Sequence, residues 1–234
     1  IKLIFTTTML LKNLISNLKS EDAALKIKGI SFDSRSTKKG DLFVSIKGEK
    51  FDGNDYIKQA TSKGAKVILH SRSIKKNEKA TFIKFKDTRN ILAKISSKYY
   101  KNKPKNIIAV TGTNGKTSVS DFFYQIFMLQ KQRSGFIGTL GFRKNKLLKR
   151  RSLTTLDSLT LNKDLDEIKR SGINNVIIEA SSHGLKQKRL NFIKVKAGIF
   201  TNLSHDHLDY HKDMKDYLRS KLLLFKDVLV KNSA

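Results

Sequence analysis

The chain has 234 residues, 48 basic and 20 acidic, and a formal net charge of +28. That length holds one large or two modest domains with proper cores, and the absence of cysteine excludes disulfides and thiolate metal sites. No apolar run approaches the about 18 residues of a membrane span, and residues 1–11, with Lys2 and no small-residue cleavage site, lack the make-up of a signal peptide.

The basic excess admits nucleic acid as a partner. Lysines, however, recur in nearly every segment instead of forming one stripe, and aromatics are not interleaved with them as stacking platforms. The expectation is a solvated cationic surface with no specific nucleic-acid partner and a field that favours anionic substrates.

Met9 opens a helical pattern, so residues 1–8 are expected to be translated upstream sequence. Residues 10–19 predict an amphipathic helix and 27–32 a strand, followed by a polar turn over 33–40. A second strand, 42–46, closes at Gly48; Asp52-Gly53-Asn54 opens a helix to Ser62, which Gly64 ends. Short strands at 67–69 and 82–85, and a helix capped by Asp87 and running to about Tyr100, complete a small α/β domain.

The only proline, Pro104, lies in the polar stretch 101–105, where a domain boundary is expected. Beyond it strands (107–111, 134–138, 174–179, 196–200) and helices (116–130, 158–170, 213–230) follow one another, which predicts a mostly parallel sheet with helices on both faces. The chain stops just after an apolar helix with no closing strand, and a continuation is expected.

The run Ile107-Ile108-Ala109-Val110 reads as a buried parallel strand that ends abruptly at Gly112. Gly112 and Gly115 bracket a loop, with Thr113 and Asn114 inside it, whose N–H groups can converge on phosphate oxygens. Lys116 adds a point charge for the outer phosphates, the Thr117 hydroxyl can ligate Mg²⁺, and Ser118 follows in the same turn. The next helix, apolar at Val119, Phe122, Phe123 and Ile126, turns its positive end toward the anion. The spacing is shorter than the usual phosphate loop, which would place glycine where Val110 stands.

Two further stretches sit at strand ends, where open α/β sheets bind ligands. In the first, Val176-Ile177-Ile178 runs into Glu179, then Ser181, Ser182 and His183; the carboxylate has the placement of a Mg²⁺ holder. In the second, His205, Asp206, His207, Asp209 and His211 crowd into seven residues, a pattern open to a zinc site, a surface loop or a Mg²⁺ and phosphate loop; beside a phosphate loop, Mg²⁺ is favoured.

Taken together, Thr111-Gly-Thr-Asn-Gly-Lys-Thr-Ser118, Glu179-Ala-Ser-Ser-His-Gly-Leu185 and Thr201-Asn-Leu-Ser-His-Asp-His-Leu-Asp-Tyr-His211 resemble the Mur ligases of peptidoglycan synthesis. Within that family they resemble the branch that adds the third peptide residue. Asp33-Ser34-Arg35, with Gly40-Asp41-Leu42-Phe43-Val44, Gly48 and Asp52-Gly53, resembles the family's UDP-binding N-terminal domain. The resemblance runs from about Met9 to the end and lacks the family's C-terminal domain.

It implies an α/β chain: a small UDP-sugar-binding domain over 9–103, then an incomplete, mostly parallel-sheet P-loop ATPase domain over 105–234. It further implies ATP and Mg²⁺ as cofactors, UDP-MurNAc-L-Ala-D-Glu and a diamino acid (meso-diaminopimelate before L-lysine) as partners, and a cytoplasmic monomer without membrane insertion. The implied reaction is ATP-dependent amide-bond formation through an acyl phosphate, with the piece alone inactive.

By the same resemblance Lys116 matches the lysine on the β- and γ-phosphates, and Thr117, Glu179 and His207 match magnesium ligands. Lys221 matches a lysine that the family carbamylates, turning a cation into a carboxylate-like ligand. Ser34 matches a uridine-side contact; Thr154, Thr155, Ser181, Gln187 and Arg189 match residues lining the substrate. Two positions depart from the pattern: Leu156 stands where many members have proline, and Glu49 where some have histidine. The competing readings are a sister ligase of the superfamily, folylpolyglutamate synthase, and a basic nucleic-acid-binding NTPase.

Overall fold

The computed structural model describes residues 8–49, 51–74, 79–144, 147–149 and 153–231. Of the stretch expected to be upstream sequence, residues 1–7 lie outside the described residues. The chain divides into two compact units, Ile1–Tyr99 and Tyr100–Ala234.

In the first unit the elements are β1 (Met9–Leu10), α1 (Leu11–Leu14), α2 (Ser20–Ala23), β2 (Lys26–Ile27), β3 (Gly29–Ser31), β4 (Asp41–Val44), a 3₁₀ turn (Gly53–Tyr56) running into α3 (Ile57–Ser62), β5 (Val67–His70), β6 (Thr81–Lys84) and α4 (Thr88–Tyr99). β3, β4, β5 and β6 form a parallel sheet in that order. Phe43, Ile57, Ala60, Ala65 and Ile68 fill its core. The Asp87 cap is in place, its carboxylate accepting from the Asn90 N–H at 2.9 Å.

Two expectations fail here. The helix over 10–19 is a single turn, because burying Leu11, Leu14 and Ile15 satisfies the apolar spacing and the turn has no side-chain cap. The strand over 27–32 is divided at Lys28: β2 pairs antiparallel with β1, while β3 joins the parallel sheet.

The second unit contains β7 (Asn106–Thr111), α5 (Lys116–Leu129), β8 (Ser134–Gly138), β9 (Gly141–Lys144), β10 (Leu147–Lys149), α6 (Ser158–Arg170), β11 (Asn175–Glu179), α7 (Ser182–Lys186), β12 (Ala197–Phe200) and α8 (Met214–Leu223). Its sheet has the order β10-β9-β8-β11-β7-β12. The four strands from β8 to β12 are parallel, and β9 and β10 add an antiparallel edge.

Strand alternation assigns the two faces. Ile107, Ala109, Val176 and Ile178 point into the larger core with Leu161, Leu165 and Ile168 of α6; Val110 and Ile177 point the other way, toward Tyr124 of α5. A central strand apolar on both faces is what a sheet covered on both sides requires.

The packing stripe of α5 is rotated from the one expected. Val119, Ser120, Phe123 and Tyr124 meet the sheet, whereas Phe122 and Ile126 are exposed at 61% and 51%. The helix expected over 213–230 ends at Leu223, and a π-helical turn, Leu224–Val228, follows, with the Leu229 N–H reaching back to the Leu224 carbonyl at 2.8 Å. The wider turn keeps both Leu224 and Val228 in the core. The β9–β10 hairpin and α7 were not expected, since Arg143, Lys144 and Lys149 hide the strand pattern and α7 is only five residues long.

Candidate active site

β7 is an interior strand, flanked by β11 and β12, and at its end Gly112 (φ 148°) and Gly115 (φ 82°) turn the chain into α5. The loop is held by the segment after β12. Asn202 accepts the Thr113 N–H on its carbonyl and the Asn114 N–H on its side-chain oxygen, both at 2.9 Å, and the Thr201 hydroxyl donates to the Asn114 carbonyl at 2.6 Å. The Thr113 hydroxyl accepts from the Ser204 N–H at 3.0 Å and from the buried Tyr217 hydroxyl at 3.2 Å. Gly115 provides no side-chain cap, which leaves the first N–H groups of α5, at Lys116, Thr117 and Ser118, without an internal acceptor.

The Lys116 ammonium donates to the Gly112 and Thr113 carbonyls, each at 2.8 Å. Burial lowers its pKa, against the pull of Glu179 and Asp206. Lys221, on α8, reaches the same Gly112 carbonyl at 2.7 Å while its ammonium lies 4.2 Å from the Tyr217 ring centre. Only 1% of Lys221 is exposed, and burial, reinforced by Lys116, pushes its pKa down to about 8. Two lysines therefore converge on one turn.

Beside them Glu179 ends β11, 1% exposed. Its carboxylate accepts from the Thr117 hydroxyl, the Thr139 hydroxyl and the Thr139 N–H, all at 3.0 Å. A carboxylate and a hydroxyl side by side form the hard oxygen donor set that suits Mg²⁺. Gly138 makes the room: a Cβ there would meet Glu179 Oε1 at 2.2 Å.

The histidine-rich segment separates into different roles. His211 is buried; its Nε2 meets the Ser182 hydroxyl at 3.0 Å and its Nδ1 lies 3.4 Å from Asp216, and burial followed by Lys186 lowers its pKa. It ties α7 to α8. His205 and His207 are exposed, and the His207 ring meets the edge of His183 at 5.0 Å and lies 6.0 Å from Tyr217. Among the described residues no three His, Asp or Glu side chains gather around one metal position, so His207 is not brought together with Glu179 and a third such ligand.

Ser181 caps α7, accepting from the Gly184 N–H at 3.1 Å. The Thr155 hydroxyl is absorbed by the backbone, donating to the Glu179 carbonyl and accepting from the Ser181 N–H, both at 2.8 Å. Thr154 instead meets the Thr139 hydroxyl at 3.0 Å. Arg189 binds the Gln187 side-chain oxygen through Nε and Nη2, at 3.1 and 2.7 Å, and donates to the Thr155 carbonyl. Leu156 is a core residue.

In the first unit, Ser34 lines a cavity of about 420 Å³ with Phe32, Asp33, Arg35, Phe43, Phe51 and Tyr56. Its hydroxyl donates to Gln59, and the neighbouring Arg35 holds the Asp33 carboxyl below its usual range.

Sequence patterning singled out neither Thr139 nor Tyr217. Thr139 follows a strand-end glycine, as Thr113 does in the phosphate loop, and that parallel was the available signal; Tyr217 carried none beyond its place on an apolar helix face.

A glycine turn and lysine at the tip of a central parallel strand, with a carboxylate ending the neighbouring strand, define an α/β protein of P-loop architecture. The family model described as the Mur ligase middle domain matches residues 110–234, and one described as the Mur ligase family, catalytic domain, matches 26–100. The chain belongs to the Mur ligase family. It is 41% identical over 220 residues to the UDP-N-acetylmuramoyl-L-alanyl-D-glutamate--2,6-diaminopimelate ligase of Rhizobium meliloti, covering 94% of this chain and 45% of that protein. It is 41% identical over 223 residues to the enzyme of that name from Rickettsia conorii, covering 92% and 46%.

A solved structure bearing the same enzyme name superposes with a TM-score of 0.82 at 29% identity over 94% of this chain and 45% of that one. MurF from Acinetobacter baumannii superposes with a TM-score of 0.64 at 18% identity over 97% and 48%, a likeness of fold alone. The chain spans under half the length of the curated relatives it matches. No helix among the described residues is long and apolar enough to cross a membrane.

Proposed function

We propose that this chain provides the UDP-sugar-binding and ATP-binding parts of a ligase of the MurE type, which joins a diamino acid, meso-diaminopimelate, to UDP-MurNAc-L-Ala-D-Glu at the expense of ATP. The observation that carries the reading is the convergence of Lys116, Lys221, Thr117 and Glu179 around the turn at Gly112. The names and 41% identity of the relatives support the choice of substrates.

In this reading the γ-phosphoryl group passes from ATP to the terminal carboxylate of the dipeptide, giving ADP and an acyl phosphate. The amine of the diamino acid then attacks the acyl carbon, and inorganic phosphate leaves with the amide bond formed. Bringing a carboxylate onto a polyphosphate opposes two anions, so the site must supply positive charge and N–H donors in place beforehand. The loop amides and α5 N-terminus bind the phosphates, and Lys116 leaves the loop carbonyls for the β- and γ-oxygens.

The Thr117 hydroxyl and Glu179, side by side, would hold Mg²⁺, with His207 as a further ligand only if its loop moved toward them, and the ion would supply charge neutralisation at the phosphates. Lys221 serves as a carbamate: its pKa of about 8 leaves a neutral fraction of amine near physiological pH to take up CO₂. Thr154, Gln187 and Arg189 receive the dipeptide, and the cavity beside Ser34 takes the uridine end. Domain bounds of 9–103 and 105–234, and a cytoplasmic monomer, belong to the same reading.

Separate calorimetric titrations with ATP and with UDP-MurNAc-L-Ala-D-Glu test it. Both ligands should bind, the dipeptide precursor in preference to the tripeptide, and Lys116→Ala should weaken ATP about 100-fold, or about 3 kcal/mol. Loss of neither ligand's binding in Lys116→Ala, or a wild-type chain that binds neither, removes the reading.

A further inference from the structure

The carboxylate of Glu179 is held chiefly by one residue. Thr139 donates to both of its oxygens, through the backbone N–H to Oε1 and through the hydroxyl to Oε2, each at 3.0 Å. The third donor, Thr117, is itself one of the groups assigned to magnesium, so Thr139 is the only one of the two with no other task at the phosphates.

The direction of each proton follows from the inventory of donors and acceptors. As a carboxylate, Glu179 only accepts, so the single proton of the Thr139 hydroxyl is directed to Oε2. The Thr154 hydroxyl lies 3.0 Å from that of Thr139. The Thr139 N–H and hydroxyl together fix the carboxylate through both of its oxygens. The place is built for the purpose, because only glycine at 138 lets the strand end approach the Glu179 side chain closely enough for the Thr139 N–H to reach it.

We propose that Thr139 is a positioning residue for Glu179, setting the carboxylate's orientation toward the divalent cation and nucleotide. The inference rests on the reading of Glu179 given above. Hydroxyls and amides that orient a ligating carboxylate typically alter metal affinity by 10- to 100-fold when removed. Thr139 itself is exposed, so a change there does not open the core.

The experiment is Mn²⁺ binding in the presence of ADP, followed by the free-ion electron paramagnetic resonance signal, on the wild-type chain and on Thr139→Val, Thr139→Ala and Thr139→Ser, with thermal melting of each. Val and Ala should weaken Mn²⁺ at least about 10-fold at an unchanged melting temperature, and Ser should restore it to within about 3-fold. A merely structural role would lower the melting temperature and leave the affinity of the folded protein alone. Wild-type Mn²⁺ affinity in both Val and Ala, or failure of Ser to restore it, overturns the proposal. A wild-type chain that takes up no Mn²⁺ with ADP overturns the reading of Glu179 and this inference with it, a result distinct from binding that is indifferent to position 139.

Discussion

At Lys221 burial and the neighbouring Lys116 act in the same direction on one amine, lowering its pKa from 10.5 to about 8. Between those values the unfolded chain holds a proton that the folded chain has lost, so this group's contribution to stability rises with pH. Below about pH 8 both states are charged and the cost of burying the ammonium is present in full. Lys221→Met removes that cost, so its stability relative to wild type should be most favourable at pH 7.5 and fall by about 2 kcal/mol at pH 9.5. Urea unfolding at the two pH values in CO₂-free buffer measures the difference, and parallel pH dependences for the two proteins would contradict it. The same uncharged fraction is what a carbamate requires, so the stability test and the functional proposal draw on one physical property.

Among the elements, the phosphate loop and α5 show opposite sensitivities. Gly112 adopts φ 148°, and a Cβ there would stand 1.8 Å from the Thr201 hydroxyl oxygen, within the contact that anchors the loop. Gly112→Ala should cost at least about 2 kcal/mol and abolish ATP binding, since both backbone strain and the anchor are affected. The outer face of α5 tolerates change. Leu129 is 82% exposed, and Leu129→Gln should alter stability by no more than about 0.5 kcal/mol, whereas Leu165→Ala on α6, fully buried, should cost about 2–5 kcal/mol. Denaturant midpoints for the three variants rank them; a Leu129→Gln as damaging as Leu165→Ala would show that the outer stripe of α5 is packed against something. Helical spacing alone identified an apolar face on α5 but not its rotation, because Phe122 and Ile126 are as apolar as Val119 and Phe123, and only the neighbouring sheet distinguishes them.

For the whole molecule, a net charge of +28 on 234 residues is a large self-repulsion in the compact state. The described ion pairs offset little of it: most lie at partly exposed positions, as Arg35–Asp33 and Arg72–Asp55 do. Raising NaCl from low to about 0.5 M shortens the screening length to a few ångströms, so the melting temperature should climb by several degrees. A calorimetric scan at the two salt concentrations checks this, and a flat or falling melting temperature would mean that the positive charges are already compensated within the fold.

The amino-acid sequence by itself determined the parallel-sheet class, the succession of β7, α5, β8, α6, β11, β12 and α8 in the second unit, and the loop at Gly112 and Gly115. Those depend on alternation along a strand, on periodicity along a helix and on backbone freedom at glycine, all of which are local. The short helix at 11–14, the hairpin β9–β10 and the π-helical end of α8 were not legible, because each is set by what packs against it. The same limit applies to the site. Of the side chains singled out in sequence, Lys116, Thr117, Glu179 and Lys221 are brought together at one sheet edge while Ser34 lies in the other unit, and only the tertiary structure decided that Lys221 meets the Gly112 carbonyl across 109 residues and that Thr139 holds Glu179 across 40. It also decided that the Thr155 hydroxyl turns to the backbone and that His211, for all its place in a ligand-like cluster, is a buried tie between two helices. Contacts of that range depend on where the folded sheet places its strand ends, which no local period encodes.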